Sequence, residues 1–260
     1  MLQTKTKNYL IFTDLDGTLL DHNTYSTDDA KEMLEYLKLK NIPLIIVTSK
    51  TKQEILKLRK QLDINYPFIV ENGAGIFLPE DKYFKQINMG KTYSETLCFL
   101  NQYREKFNIK SFFDMSDKLV SSLTGLDIES SILAKKRDFC EPFIIEDESK
   151  IQELKKLSLK EGFDIVKGGR FYHLITQGQD KANALIKLKN LYEEKYHKKF
   201  TTIALGDGEN DKSMLDISDI SVLIKKFDGS FIDYDKKDLI KTQAIGPAGW
   251  NEALKGILCK

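Results

Sequence analysis

The sequence lacks most of the features that mark secreted, membrane and nucleic-acid-binding proteins. Its 260 residues include only three cysteines, Cys98, Cys140 and Cys259, whose odd number and spacing predict free thiols in a reducing compartment. Residues 1–7 contain no apolar signal core, and the longest apolar run, 43–47, is too short to cross a bilayer. The formal net charge of +1 gives no electrostatic reason to expect a nucleic acid or a membrane surface as partner. We therefore expect a cytoplasmic globular protein.

Arginine is also scarce. Only Arg59, Arg104, Arg137 and Arg170 occur, and the other basic side chains are lysines. A guanidinium group suits two-point binding of a carboxylate or phosphate, whereas an ammonium group acts as a point charge. Each arginine is therefore a candidate for anion recognition.

The sequence does contain a repeated alternation of buried strands and amphipathic helices. Strands are predicted at 9–13, 44–47, 68–70, 202–205 and 221–224, with helices between them, including one over 181–196. The segment from Ser26 to Asp29 predicts a capping-box start for the first helix. This alternation predicts a Rossmann-like, doubly wound parallel sheet of the α/β class.

The middle of the chain follows a different pattern. Helices are predicted at 92–107, 126–139 and 149–160 and a strand at 143–145, followed by extended runs at 164–167 and 170–175. Gly168-Gly169 joins these two runs, which is a strong hairpin signal. We expect residues 83–178 to form an α+β domain inserted between the core segments 1–82 and 179–260. Its hinges would lie near 83–86 and 176–179.

Polar side chains stand at the ends of three predicted parallel strands. They are Asp14 and Asp16, Thr48 and Ser49, and Asp207 with Asn210 and Asp211. Taken alone, the first pair is equally compatible with an exposed turn, because Asp-Gly is a common turn dipeptide. The carboxyl ends of parallel strands meet at one edge of a sheet, so the three groups should converge there. Lys181, at a helix start, is placed to reach the same edge.

This set of side chains suits phosphoryl transfer through a covalent aspartyl phosphate. Asp14 would attack phosphorus, and Asp16 would protonate the leaving oxygen and then deprotonate the attacking water. Mg²⁺, held by Asp14, the backbone carbonyl of Asp16 and Asp207, would offset the negative charge.

The remaining groups would support that reaction. Thr48 would bind a phosphate oxygen, and Lys181 would neutralise the nucleophile and the transferred group. Asp211, with Asn210 beside it, would orient Lys181 and the water molecules on the metal.

The order of these motifs resembles that of the haloacid dehalogenase superfamily. The matching residues are Asp14-Leu15-Asp16-Gly17-Thr18, Thr48, Lys181 and Gly206-Asp207-Gly208-Glu209-Asn210-Asp211. The insertion between the second and third motifs resembles the C2-type cap of that superfamily. The resemblance implies a magnesium-dependent hydrolase with a capped core.

Further motifs along nearly the whole chain are similar to those of the mannosyl-3-phosphoglycerate phosphatase family. They comprise residues 48–51, 71–76, 133–143, 168–174 and 246–251. The resemblance implies hydrolysis of 2-O-mannosyl-3-phosphoglycerate, or of its glucosyl analogue, in compatible-solute biosynthesis. Two departures occur, Gly208-Glu209 where a small residue and proline are expected, and Gln179-Asp180 where glycine commonly precedes the lysine.

Such a substrate carries a phosphate, a carboxylate and a hydroxyl-rich sugar. Arg137 and Arg170, in two cap motifs, would bind the carboxylate. Glu141 would accept hydrogen bonds from the sugar, and Ser49 would bind substrate beside Thr48. The structural alternatives are a solvated helix charge for Arg137, an ion-pair partner for Glu141 and an exposed hairpin residue for Arg170.

Three other functions remain compatible with the motifs. A phosphatase of another sugar phosphate or a phosphomutase would use the same sheet edge. A non-catalytic sugar-phosphate sensor is the weakest alternative, because a binding module does not need a nucleophile.

Overall fold

The computed structural model describes residues 8–168 and 170–259. The chain forms two compact units. Within the described residues, the first comprises 8–48, Tyr66–Ile69 and 180–259, and the second comprises Ser49–Asn65, 70–168 and 170–179. The expectations for residues 1–7 and for Gly169 in the hairpin turn lie outside the described residues.

The helices and strands alternate along the chain. In the first half they are β1 (Tyr9–Thr13), α1 (Lys31–Leu39), β2 (Leu44–Val47), α2 (Lys52–Leu62), β3 (Phe68–Val70), β4 (Gly75–Glu80), β5 (Tyr83–Asn88), α3 (Tyr93–Phe107), β6 (Ile109–Ser111), α4 (Asp117–Thr124) and α5 (Ile128–Ala134). In the second half they are β7 (Glu141–Ile145), α6 (Ile151–Lys160), β8 (Phe163–Gly168), β9 (Phe171–Thr176), α7 (Lys181–Tyr196), β10 (Thr201–Gly206), α8 (Lys212–Ile217), β11 (Ile220–Lys225), β12 (Ile240–Ile245) and α9 (Gly246–Leu258).

The strands of the first unit run in the order β12-β11-β10-β1-β2-β3, and neighbouring strands are parallel. Leu10, Ile11 and Phe12 of β1 are fully buried, as expected of a central strand with both faces covered. Helix α1 packs against α9, and α7 packs against α8. The chain leaves β1 toward β2 on one side and returns in β10 on the other, so the strand order reverses at β1.

The second unit is built around an antiparallel sheet in the order β6-β7-β9-β8. On one face Phe143 and Leu174 pack against Phe99 of α3 and Leu154 of α6. On the other face Phe171 packs in a second cluster with side chains from the α4 and α5 region. The antiparallel pair β4–β5 also belongs to this unit, and its strands follow β3 in the order of the larger, eight-stranded sheet. The unit is therefore an α+β domain, as expected.

The structure confirms the predicted α/β core with an α+β insertion, and helix α7 has the predicted bounds. The residue limits of the cap domain remain a prediction. The predicted helix at 126–139 is wrong in extent, because only Ile128–Ala134 is helical. The predicted capping box at the first helix is also wrong. Thr27 makes no side-chain capping bond there, whereas Thr51 with Glu54 and Thr92 with Glu95 form reciprocal boxes.

The strands β4, β5, β6 and β12 and the helix α4 were not foreseen. Among the described residues, no helix is both long and apolar enough to cross a membrane.

Candidate functional site

The site is centred on Asp14, which directly follows β1. In the parallel register Thr13 lies opposite Ile46 of β2 and Leu205 of β10. The backbone N–H of Asp14 donates to the Leu205 carbonyl at 2.9 Å. Its side chain is thereby fixed at the carboxyl edge of the sheet, where the strand order reverses and ligands bind in open α/β sheets.

Lys181, the first residue of α7, reaches this carboxylate. Its Nζ atom donates to Asp14 Oδ1 at 2.6 Å and to Asp211 Oδ1 at 2.7 Å. Asp180 caps α7 by accepting a hydrogen bond from the Asn183 N–H at 2.7 Å, which fixes the helix end that carries the lysine. A buried ammonium group therefore bridges two acidic side chains.

Burial and mutual interaction set the charges of this cluster. Burial raises the pKa of Asp14 well above its ordinary value, and Lys181 opposes that rise while Asp211, Asp16 and Asp207 add to it. Burial alone would lower the pKa of Lys181, but Asp14 and Asp211 together raise it. The lysine therefore remains charged. The buried carboxylates of Asp14 and Asp211 and the half-buried one of Asp207 lie near a single ammonium group, and this excess of acidic groups favours binding of a further cation.

Asp207 lies at the end of the neighbouring strand β10. Thr18 Oγ1 donates to Asp207 Oδ1 at 2.9 Å, and the backbone N–H groups of Asp207 and Gly208 donate to Asp211 Oδ2 at 3.1 and 2.9 Å. Burial, reinforced by Asp211, raises the pKa of Asp207 to about 6. These bonds hold the loop that follows β10 against the loop that follows β1.

A glycine permits that close approach. Gly17 has a φ of +79°, and a Cβ atom added there would lie 2.8 Å from Asp207 Oδ2. Any side chain at this position would therefore collide with the carboxylate, besides adopting the left-handed backbone region. The turn that carries Asp16 consequently lies directly beside Asp207.

The donor set of the site fits a divalent metal ion. One carboxylate oxygen from each of Asp14, Asp207 and Asp211 lies within 4.8 Å of the others. Carboxylate oxygens are the ligands preferred by hard cations such as Mg²⁺. Asp211 already accepts from Lys181 at one oxygen and from two backbone N–H groups at the other. Asp14 and Asp207 are therefore the better candidates for direct ligands.

The other predicted core residues lie at the ends of the expected strands. Thr48 directly follows β2, is fully buried and donates its backbone N–H to Ile69 at 3.0 Å. Asn210 lies on the surface, in the 3₁₀ turn Glu209–Asp211. The structure thus brings Asp14, Lys181, Asp207 and Asp211 into contact, and it places Thr48 at the end of the strand next to Asp14.

Arg137, in the second unit, has a different environment from the one expected. Its Nε donates to the Cys140 carbonyl at 2.8 Å and Nη1 to the Ala134 carbonyl at 3.4 Å. Its Nη2 donates to the Ser49 carbonyl at 3.2 Å and to Cys140 Sγ at 3.0 Å. All three guanidinium nitrogens bind protein acceptors and the side chain is only 5% exposed. This environment argues against direct contact between Arg137 and a substrate carboxylate.

Glu141, like Arg137, is held by groups of the protein. The residue is fully buried, and it accepts hydrogen bonds from the Phe113 N–H at 2.6 Å and the Tyr93 hydroxyl at 3.0 Å. Burial raises the pKa of its carboxyl group. These protein partners argue against the predicted contact with a sugar hydroxyl. Arg170 differs from both because it is exposed, with Nη1 donating to the Leu123 carbonyl at 2.7 Å.

Two residues that organise the site regions were not foreseen. Thr18, which holds Asp207, belongs to the first motif, so its hydroxyl could have been assigned from the sequence. Glu71 is fully buried with several backbone partners, and the 71–76 motif to which it belongs did not indicate these contacts.

Comparison with known proteins identifies the family. Residues 11–237 match the family model of the haloacid dehalogenase-like hydrolases. A glucosyl-3-phosphoglycerate/mannosyl-3-phosphoglycerate phosphatase from Persephonella marina is 45% identical over an aligned length of 260 residues. The match covers 96% of this chain and 97% of that protein. A protein of the same name from Methanococcoides burtonii is 39% identical over 271 residues, covering 97% and 98%.

The fold has close relatives among solved structures. A crystal structure from Thermoplasma acidophilum superposes with a TM-score of 0.73 at 20% identity and covers 96% of this chain and 98% of its own. This likeness confirms the predicted fold, and the sequence relatives confirm the predicted resemblance. The chain belongs to the haloacid dehalogenase-like hydrolases and, within them, to the family of the glucosyl-3-phosphoglycerate/mannosyl-3-phosphoglycerate phosphatases.

Proposed function

We propose that the protein hydrolyses the phosphate ester of 2-O-mannosyl-3-phosphoglycerate, and of its glucosyl analogue, to the glycosylglycerate and phosphate. The observation that carries this proposal is the buried contact between Lys181 and Asp14 at the carboxyl edge of the sheet. The names of the full-length relatives support the choice of substrate. The product suggests a role in making a compatible solute, in a cytoplasm where Cys98, Cys140 and Cys259 remain free thiols.

Asp14 is the proposed nucleophile. One of its carboxylate oxygens attacks phosphorus, the bond from phosphorus to the glycerate oxygen breaks, and an aspartyl phosphate forms. Lys181, held by Asp211, lowers the repulsion between this carboxylate and the approaching phosphate. Thr48, at the end of the adjacent strand, donates its hydroxyl to a phosphate oxygen.

Asp16 is the proposed acid and base. It gives its proton to the departing glycerate oxygen, and it then accepts a proton from the water that attacks the aspartyl phosphate. That second displacement releases phosphate, restores the Asp14 carboxylate and leaves Asp16 protonated as at the start. The turn at Gly17 orients Asp16, because it fixes the chain beside Asp207.

The metal is proposed to be Mg²⁺, held by Asp14, the backbone carbonyl of Asp16 and Asp207, with Asn210 and Asp211 outside it. When bound, it offsets the negative charge of the carboxylates and of the phosphate. Arg170, in the predicted cap, is the proposed partner of the substrate carboxylate, and Ser49, directly after Thr48, is a further proposed substrate contact. Neither a nucleic acid nor a membrane is a proposed partner.

Phosphate release from a panel of esters tests this proposal. The mannosyl and glucosyl 3-phosphoglycerates should give the highest kcat/KM, with glucose 6-phosphate, 3-phosphoglycerate and p-nitrophenyl phosphate well below them. Equal rates on all sugar phosphates would contradict the substrate assignment while leaving a phosphatase. Conversion of a sugar phosphate to its isomer, with no release of phosphate, would instead identify a phosphomutase.

A further inference from the structure

Glu71 connects segments of the second unit that are far apart in sequence. Its carboxylate is fully buried and accepts the backbone N–H groups of Asp138 at 2.8 Å, Phe139 at 3.3 Å and Cys140 at 2.8 Å. Oε2 also lies 3.4 Å from Nε of Arg137. A buried carboxylate with three amide donors and a guanidinium neighbour is held firmly, since each partner compensates for its lost hydration.

The first connection leads to the segment that follows Thr48. Arg137, beside the Glu71 carboxylate, donates from Nη2 to the Ser49 carbonyl at 3.2 Å. The backbone N–H of Glu71 itself donates to the Lys50 carbonyl at 3.1 Å. Both residues that come directly after Thr48 are therefore bound through Glu71 or its ion-pair partner.

The second connection leads to the segment that precedes Lys181. Gln179 Nε2 donates to the Glu71 carbonyl at 2.7 Å, and Gln179 Oε1 accepts from the Thr176 N–H at 3.2 Å. The side-chain amide of Gln179 makes both bonds, so the link between these two segments depends on this side chain.

The backbone at this point is also unusual. Glu71 and Asn72 both have positive φ values, of 50° and 57°. Consecutive left-handed residues other than glycine persist only where the surroundings determine them, and such strain is concentrated at functional sites. Hydrogen bonds at the backbone N–H, the carbonyl and the carboxylate of Glu71 hold the backbone in this conformation.

We propose that Glu71 is a positioning residue for phosphoryl transfer, acting with Arg137 and Gln179. It fixes the segments that lead out of Thr48 and into Lys181, so that the phosphate-binding hydroxyl and the ammonium group keep their places during turnover. This inference rests on the proposed function. It also gives Arg137 a role other than binding the substrate carboxylate.

The test compares Gln179→Met with Gln177→Met. The first variant keeps the side-chain length but loses the hydrogen bonds to the Glu71 carbonyl and from the Thr176 N–H, and the second changes an exposed residue of the same segment. Because misplacement of catalytic groups reduces turnover, Gln179→Met should lower kcat roughly tenfold with little change in KM, and Gln177→Met should match wild type. Glu71→Gln should also lower kcat, because it weakens the bonds of the buried carboxylate, and adding Gln179→Met should lower kcat again, since the Gln179 bond is to the backbone carbonyl of Glu71.

Two further measurements separate positioning from stability and from the proposed function. Leu154→Ala, in the core of the second unit, should lower the melting temperature as much as Glu71→Gln yet leave kcat unchanged. Amide hydrogen exchange in residues 48–51 and 179–183 should be faster in Gln179→Met than in Gln177→Met, whether or not any ester is hydrolysed. Equal exchange and equal kcat in these two variants would overturn the inference. If wild type released no phosphate from any ester, the proposed function would fail and the exchange result would still decide the inference.

Discussion

Nζ of Lys181 lies 2.6 Å from Oδ1 of Asp14, and the two side chains are 1% and 9% exposed. A lysine this deeply buried is compatible with folding only if acidic partners compensate for its lost hydration. Asp14 and Asp211 provide that compensation, so one cluster serves both folding and the proposed chemistry.

Removal of the lysine should therefore affect stability as well as activity. Lys181→Met leaves two buried carboxylates without their cation, and we expect a loss of roughly 3–5 kcal/mol in the free energy of unfolding, measured by urea denaturation without metal. Lys187→Met, on the exposed side of the same helix, should stay within about 0.5 kcal/mol of wild type. A stable Lys181→Met protein with normal turnover would contradict the role of this contact.

Removal of the metal should stop the reaction. Treatment with a chelator should abolish phosphate release, and added Mg²⁺ should restore it. Because a ligand that binds only the folded state stabilises it, Mg²⁺ should also raise the melting temperature. Asp207→Asn should weaken that rise, and Asp228→Asn, in an exposed loop, should not. A rate unchanged by chelation would refute the metal assignment.

Acid should destabilise the second unit through His173. Burial lowers the pKa of His173 to about 4, with Arg137 adding to the shift, whereas an unfolded histidine titrates near 6.5. Between these values the unfolded chain binds the proton more tightly, so stability falls as the pH drops through this window. Between pH 7 and pH 4.5 the free energy of unfolding should fall by about 2 kcal/mol more in wild type than in His173→Gln, as measured by urea denaturation at each pH.

The control for this experiment is His197→Asn, which changes an exposed histidine with a positive φ. It should show the same acid dependence as wild type. Parallel stability curves for wild type and His173→Gln would show that His173 does not titrate as its burial requires.

The exposed arginine of the cap provides a test of substrate recognition. Arg170→Ala should raise KM for mannosyl-3-phosphoglycerate by about tenfold, the effect of losing one charge-assisted hydrogen bond. For p-nitrophenyl phosphate, which lacks a carboxylate, KM should be unchanged. Lys156→Ala, another exposed cation of the cap, should change neither value. Equal increases for both esters would eliminate Arg170 as the carboxylate partner.

The acidic site at the carboxyl edge of the sheet could be predicted from sequence, because most of its side chains directly follow predicted strands. A buried strand such as β1 is an apolar run, and parallel topology then brings Asp14, Asp207 and Lys181 together without any knowledge of packing. Thr18 belongs to the same motif as Asp14, so its place beside the site could be predicted in the same way.

The cap residues could not be predicted in this way. Arg137 and Glu141 lie in recognisable motifs, but burial and partners determine whether a charged side chain contacts a ligand or the protein itself. Those partners come from segments far away in sequence, such as Ser49 for Arg137 and Phe113 for Glu141. A motif alone therefore marks a residue as a candidate, whereas its contacts determine whether the side chain binds a ligand or the protein itself.

The most direct test of the account is phosphate release from mannosyl-3-phosphoglycerate by wild type and by Asp14→Asn, with Mg²⁺ present. We expect rapid release by wild type and a decrease of at least about a thousandfold in the variant, because an amide cannot act as the nucleophile. Release at the same rate by both proteins, or no release by wild type, would contradict it.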